Sequence, residues 1–342
     1  MVDRRRPATL QEIADELGLH VSTVSRVLNG SKGARPASAA TVERVRRLAD
    51  ELGYAPDPLG SGLRTRRSRI VGVLVPRLSD LVVATVYEGI EEAATERGLA
   101  TMAVNTLDAD DVRRARVRAL MARRVDGLIF GDARLDSAYL DELAADGTPF
   151  VLVNRRAPGH PSATCDDVLG GRLAAEHLLA LGHTEVAVIA GEPFASTGAD
   201  RTEGFVARYR EAGIAIPPDR LIRSRFDTAG GRRAAEACLR RPDRPTAIFA
   251  VNDFAAIGAL GAARDHGLTV GRDLALVGYN DTPLAAELPI ALTSVASPMH
   301  AMGREALDLL VRLLSGQTVT SLLLPPELRP RASTDFRVGE PR

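Results

Sequence analysis

Residues 9–30 read TLQEIADELGLHVSTVSRVLNG. Thr9-Leu10-Gln11-Glu12 has the form of a capping box, in which the threonine side chain caps a new helix while the glutamate three residues on reaches back. Ile13, Ala14 and Leu17 then fall on one face, and Gly18 supplies the left-handed residue that ends the helix. Only Gly18-Leu19-His20 separate it from a second helix, which turns Val24, Val27 and Leu28 inward and closes at Asn29-Gly30. A third begins near Ser38, sets Val42, Val45, Leu48, Ala49 and Leu52 at helical spacing, and stops at Gly53. The spacing predicts a three-helix unit over residues 1–54 whose first two helices share a tight glycine turn. This is helix-turn-helix geometry, in which the second helix enters the major groove and its first residues meet base edges.

The polar face of the second helix supports that reading. Val21, Ser22, Thr23, Ser25 and Arg26 are left outside the core, and no acidic residue occurs between positions 17 and 42. A solvent-facing helix would more usually carry paired Glu and Lys. Short hydroxyl side chains suit phosphate contacts, Arg26 can bond a guanine through two hydrogen bonds, and Val21 can touch a thymine methyl. Net charge is zero over 342 residues, yet residues 1–69 carry 13 Lys+Arg against 8 Asp+Glu, which leaves 31 against 36 for the remainder. A basic head on an acidic body suits a polyanion partner for the head, although an excess this small also describes an ordinary solvated surface.

The stretch 9–30 resembles the N-terminal signature of the LacI/GalR family of transcriptional regulators. Carried over position by position, the resemblance implies base reading by Val21, Ser22 and Arg26, and phosphate contacts by Thr9, Thr23, Ser25 and Asn29. Two departures stand out. His20 occupies a position where the family usually has a Ser or Thr cap, which weakens the expected cap, and the loop 30–37, GSKGARPA, is longer than the family norm and holds Lys32, the only lysine of the chain.

Residues 55–68 follow as a hinge, with YAPDPLGSGLRTRRSR spanning it. The family folds a short helix here on operator DNA and levers a leucine into the minor groove, a role that falls to Leu63. Asp57 is a good N-cap and Pro58 suits the first helical position. Gly60 and Gly62 oppose helix formation by about 1 kcal/mol each relative to alanine, so the segment is expected to fold only on DNA. Arg64, Arg66, Arg67 and Arg69 are expected near phosphates.

From residue 69 onward, apolar runs of strand length (RIVGVLVP, LATMAVN, DGLIF, PFVLVN, EVAVIAG, RLIRS, TAIFAVN, LALVGYN) alternate with helical patterns. Such alternation predicts βα units and parallel sheets covered on both faces, in one large sheet or two lobes. The family resemblance extends through EHLLALGHTEVAVIAG, ADRTEGF, AVNDFAAIGAL, LALVGYND and LLLPPELRPRAST, and it implies two. The fold class is thus an all-α helix-turn-helix head joined by a hinge to an α/β core of two doubly wound, periplasmic-binding-protein-like lobes. The core should span 69–342, with an N-lobe of about 69–166 and 296–322 and a C-lobe of about 167–295 and 323–336.

Ligands in open α/β sheets bind beyond the carboxyl ends of strands. Asn154 and Arg155, Asn252 and Asp253, and Asn280 and Asp281 stand at such ends. The resemblance adds Arg201 as a ligand-oxygen contact and Phe226 as an aromatic wall. The expected effector site is therefore Asn154, Arg155, Arg201, Phe226, Asn252, Asn280 and Asp281, polar enough for a sugar or sugar derivative. Several of these, Asp253 and Asp281 above all, equally suit helix capping or loop bracing. After the first core strand the chain reads RLSDLVVA where the family often has an aromatic segment. Arg77 with Arg155 and Arg156 would favour an acidic or phosphorylated ligand if those side chains face inward.

No phosphate loop, GxGxxG after a strand, HExxH or CxxC occurs, and Cys165 and Cys238 read as reduced buried thiols. His177 and His183 read as structural, and the pairs Asp110-Asp111 and Asp166-Asp167 as helix caps. No enzyme, cofactor or metal is expected. The N-terminus has no apolar core behind its basic residues and no run reaches membrane-span length, so a cytoplasmic protein is expected. The expected partners are double-stranded DNA with a pseudo-palindromic operator, a small-molecule effector and a second copy of the chain. No leucine heptad follows RASTDF, so a coiled-coil tetramer is not expected. Control by a partner protein, or a transport solute-binding role for the core, remain alternatives; the latter leaves residues 1–68 without a purpose.

Overall fold

The computed structural model describes residues 8–29, 37–54 and 67–335, with Asn29 described by its backbone alone. The sequence-based assignments to Leu63 and the rest of the hinge through Arg66, to Lys32, and to the Asn29 side chain lie outside the described residues. The chain divides into two compact units, Met1–Ser68 and Arg69–Arg342.

In the head, α1 (Leu10–Leu17), α2 (Val21–Asn29) and α3 (Ala39–Glu51) enclose a core of Ile13, Ala14, Val24, Val45 and Ala49. The capping box is present in both directions: Glu12 N donates to Thr9 Oγ1 at 3.2 Å, and Thr9 N donates to Glu12 Oε2 at 2.6 Å. Gly18 has φ 62°, a conformation in which a side chain would be strained, and this lets α2 restart after a two-residue step. Ser38 caps α3 by accepting the Thr41 N–H. Leu52, placed inward by spacing, is instead exposed, because the helix ends at Glu51 and Leu52 serves as its C-cap.

The second unit begins with β1 (Ile70–Val75), α4 (Leu81–Glu96), β2 (Ala100–Asn105), α5 (Asp110–Ala122), β3 (Gly127–Phe130), α6 (Ala138–Ala145), β4 (Phe150–Val153) and β5 (Ser162–Cys165). A first crossing leads to α7 (Asp167–Ala180), β6 (Val186–Ala190), α8 (Ser196–Glu211), β7 (Leu221–Arg223), α9 (Thr228–Leu239), β8 (Ala247–Ala250), α10 (Asp253–Asp265), β9 (Ala275–Asn280), α11 (Pro283–Glu287) and β10 (Thr293–Ala296). The chain crosses back to α12 (Met299–Leu314) and β11 (Leu322–Leu324), then forward again to β12 (Glu327–Arg329). The last crossing thus falls after Leu324, slightly beyond the position expected from sequence.

One sheet has the order β11-β5-β4-β3-β1-β2 and the other β12-β10-β9-β8-β6-β7. All pairings are parallel except β10 with β12. The near-continuous apolar runs of β1 and β6 follow from burial on both faces. In each sheet the winding reverses beside one strand, β1 between β2 and β3, and β6 between β7 and β8, which opens a crevice beyond their carboxyl ends. Helices cross closely where glycines meet. A Cβ on Gly89 of α4 would lie 2.1 Å from the His300 carbonyl oxygen on α12, and one on Gly303 would lie 2.0 Å from that of Val86.

Candidate nucleic-acid interface and ligand cleft

On α2, Ser22 is exposed, while Val21, Thr23, Ser25 and Arg26 are half-buried. Val21 packs its side chain partly against the head core, so the same residue that faces outward at the helix start also anchors it. No acid lies in the first turn, and Arg26 lies in the last. His20 takes the capping place. Its Nδ1 accepts the Ser22 backbone N–H at 3.3 Å and sits 2.8 Å from Ser22 Oγ. The imidazole therefore replaces the absent hydroxyl cap and engages the side chain of an expected base reader, an effect the sequence reading did not foresee. Thr9 Oγ1 is committed as an acceptor within its capping box but keeps its hydroxyl hydrogen for an outside acceptor.

In the second unit, a cleft of about 730 Å³ lies beyond the carboxyl ends of β1, β2, β4, β6, β7, β8 and β9. Six of the seven expected effector residues meet there: Asn154, Arg155, Arg201, Phe226, Asn252 and Asn280. Asn154 and Asn280 reach it on left-handed backbone, φ 63° and 97°. Such conformations cost energy for residues with a Cβ and cluster at binding sites. The Oδ1 of Asn280 is buried and has no hydrogen-bond partner. Asn252 caps α10 by accepting the Ala255 N–H at 2.9 Å, and its Nδ2 donates to the Phe226 carbonyl at 2.9 Å, which fixes the loop that carries the ring.

The two expected arginines line the cleft and are each ion-paired within the protein. Arg155 is buried and grips Asp108 at 2.6 and 3.3 Å, with its guanidinium carbon 5.8 Å from the Phe194 ring and 5.9 Å from the Phe226 ring. Arg201 Nε donates to Asp167 at 2.8 Å and Nη1 to the Val251 carbonyl at 2.8 Å. Asp80, at the N-cap of α4, accepts the Val82 N–H at 3.0 Å. Burial nevertheless raises its pKa from the ordinary carboxylate value, the backbone hydrogen bonds and Arg155 offsetting only part of the loss of water.

Asp281 does not line the cleft. Its carboxylate pairs with Arg331 Nη1 at 2.6 Å, so it ties the end of β9 to the segment after β12. Asp253 lies directly behind, wholly buried, and accepts Thr282 N at 2.7 Å, Thr282 Oγ1 at 3.0 Å and Ser294 Oγ at 2.6 Å. Among the described residues no cation pairs with it, and burial pushes its pKa up to about 6.

The chain matches two family models, one for bacterial regulatory proteins of the lacI family over residues 9–57 and one for a periplasmic binding protein-like domain over 175–334. It is 33% identical over 334 residues to the HTH-type transcriptional regulator DegA of Bacillus subtilis, covering 95% of this chain and 98% of DegA. The chain belongs to the LacI family of bacterial regulators. Its fold also matches the lac repressor dimer bound to operator and the anti-inducer ONPF, with a TM-score of 0.87, 29% identity, and 96% and 99% of the two chains covered. A complex of the transcriptional regulator CelR with cellobiose matches at TM-score 0.73 and 30% identity over 96% of this chain and 100% of that one.

As a LacI-family repressor, the chain pairs a DNA-binding head with a cleft-bearing core. Sequence reasoning missed Asp108, Phe194, Thr197 and Arg225 among the cleft residues. Asp108 and Phe194 follow β2 and β6 on loops, and the residues they meet, Arg155 and Leu135, lie far away in sequence. Arg225 had a usable signal, since it follows strand β7 at its carboxyl end. Arg156, considered as a cleft cation, instead binds Asp200 at 2.6 and 2.8 Å. No described helix is long and apolar enough to cross a membrane.

Proposed function

We propose that this LacI-family repressor is a homodimer whose two heads bind a pseudo-palindromic operator, and that a small polar effector in the core cleft sets the operator affinity. The observation that carries this reading is the joining in one chain of an α2 free of acids with a cleft whose buried Asn280 Oδ1 awaits a hydrogen-bond donor. A protein two-fold axis matches half-site symmetry, and the coupling between effector and operator is reciprocal in free energy. Base reading falls to Val21, Ser22 and Arg26, phosphate contact to Thr9, Thr23, Ser25 and Asn29, and the minor-groove wedge to Leu63. Effector contact falls to Asn154, Arg155, Arg201, Phe226, Asn252 and Asn280. The cellobiose held by CelR supports a sugar or sugar derivative.

A gel-shift titration at several salt concentrations tests the DNA half of this reading. Log affinity should fall with log salt by about 0.9 per phosphate contact. Arg26→Ala should cost about 1–3 kcal/mol on the true operator and much less on random DNA. An equal loss on both would demote Arg26 to a phosphate contact, and salt-insensitive binding would remove the DNA reading altogether.

A further inference from the structure

Formal charge does not decide what the cleft takes. Its lining holds Arg77, Arg155, Arg201 and Arg225 against Asp80, Asp108, Glu192 and Asp227. Which of these groups remain open to a ligand does decide it. Arg155 is neutralised by Asp108 and Arg201 by Asp167. Asp80 and Asp227 are held as helix caps, accepting Val82 N and Gly230 N. Among the described residues, only Arg77, Arg225 and Glu192 of the charged lining make no side-chain hydrogen bond or ion pair. The two free cations come from opposite lobes, Arg77 just beyond β1 and Arg225 just beyond β7. Both are exposed, so an approaching anion would meet donors that need not leave another partner.

The backbone adds to the same potential. The starts of α4, α8, α9 and α10 all contribute lining residues: Asp80 and Val82, Thr197, Asp227 and Thr228, and Asn252. Each start carries partial positive charge from its unpaired N–H groups. That of α8 has neither a side-chain cap nor an acid in its first turn, so its charge is left unscreened. Deeper in the same cleft, the buried Asn280 Oδ1 requires a donor such as a hydroxyl.

We infer that the effector is a polyhydroxylated oxyanion, a sugar phosphate or sugar acid, whose hydroxyl groups reach Asn280 while its anionic group is held between Arg77 and Arg225. This rests on the effector-regulated reading above and narrows it. The anionic group bridges the lobes, which gives the ligand a preference for one relative lobe orientation. A neutral sugar can satisfy Asn280 but leaves both arginines to water. The unpaired Glu192 emerges beside Arg225, since β6 and β7 pair in register at Ala190 and Arg223, and it works against any oxyanion placed against it, so the two arginines must outweigh it.

Calorimetric titration of the full chain with matched probes tests the inference: glucose, glucose 6-phosphate, gluconate, and inorganic phosphate at constant ionic strength. At least one polyol oxyanion should bind about tenfold or more tightly than glucose. Comparison of the phosphate and carboxylate arms identifies which oxyanion the cleft prefers, and Arg77→Gln or Arg225→Gln should each weaken that probe by about tenfold. Arg77→Lys and Arg225→Lys should retain part of the affinity, because they keep the charge. Glucose binding as tight as that of its charged forms, oxyanion affinity unchanged in the double Arg77→Gln/Arg225→Gln variant, or no saturable binding by any oxyanion of the set would overturn the inference. The two readings separate cleanly. A neutral sugar that binds tightly and shifts operator affinity removes the oxyanion and leaves effector control; an oxyanion that binds through both arginines without shifting operator affinity does the reverse.

Discussion

The guanidinium of Arg201 stacks on Tyr279, its central carbon 3.8 Å from the ring centroid. Tyr279 Oη in turn lies 3.5 Å from Cys165 Sγ, which belongs to the other sheet. One wall of the cleft is thereby tied to the strand that feeds the first crossing. Arg201 and Asp167 are both buried, so removing either leaves the other charged and uncompensated. Arg201→Ala should lower the unfolding free energy by about 3–5 kcal/mol. The double variant Arg201→Ala/Asp167→Ala should recover part of that loss, as coupled neighbours do not add. Urea unfolding checks both, and strictly additive losses would show that the pair is not the source.

Asp253 predicts a pH dependence of stability. Its pKa is 3.8 in the ordinary state and about 6 when folded, so the folded form holds the proton more tightly. The resulting stabilisation is fully present below 3.8 and is lost as pH rises through about 6. Relative to Asp253→Asn, which cannot titrate, the parent chain should gain about 2 kcal/mol between pH 7 and pH 4. The comparison with the variant is essential, because the ion-paired carboxylates elsewhere shift stability in the opposite direction. A constant difference between the two proteins over that range would mean that Asp253 does not titrate in it.

At the head, His20→Ser should exchange the imidazole cap for a hydroxyl and release the Ser22 side chain. Serine ranks among the best N-caps, so the opening free energy of α2 should rise by about 0.5–1 kcal/mol. Amide hydrogen exchange along α2 measures this directly. Unchanged or faster exchange would show that the ring nitrogen caps as well as serine does.

Much of this architecture was legible because local chemistry and periodicity agreed. The Thr9 capping box, the Gly18 stop and the inward Ile13, Val24 and Val45 each point to the same three-helix unit. The strand-end asparagines Asn154, Asn252 and Asn280 were legible for a topological reason, since doubly wound sheets place ligands at those ends. Asp281 shows where that rule stops. It follows Asn280 directly, yet the chain turns there and Arg331, fifty positions on, claims its carboxylate. The state of each cleft arginine was equally hidden, because whether a guanidinium is free depends on partners such as Asp108 and Asp200 that lie far away in sequence.

Of those distant partners, Asp200 also latches the lobes to each other. Arg156 grips Asp200 on α8, Arg156 N donates to Ser196 Oγ at 2.9 Å, Leu135 N donates to the Phe194 carbonyl at 2.9 Å, and the Arg134 guanidinium lies 4.0 Å from the Phe194 ring centroid. The Arg156 side chain keeps 42% of its exposure, so solvent screens this pair and it should contribute no more than about 1 kcal/mol. Such an amount is small against global unfolding but not against an equilibrium between two lobe orientations, where it changes the ratio of states by about fivefold. Asp200→Ala should therefore leave the urea midpoint nearly unchanged while broadening the distance distribution between spin labels placed on α6 and α9. Adding Phe194→Ala, which removes the Arg134 stacking partner but keeps the Leu135 backbone bond, should broaden it further. If the double variant held the parent distribution, the three crossings and the bonds it keeps, Leu135 N to the Phe194 carbonyl, Arg156 N to Ser196 Oγ and Tyr279 Oη with Cys165 Sγ, would suffice to set the cleft geometry.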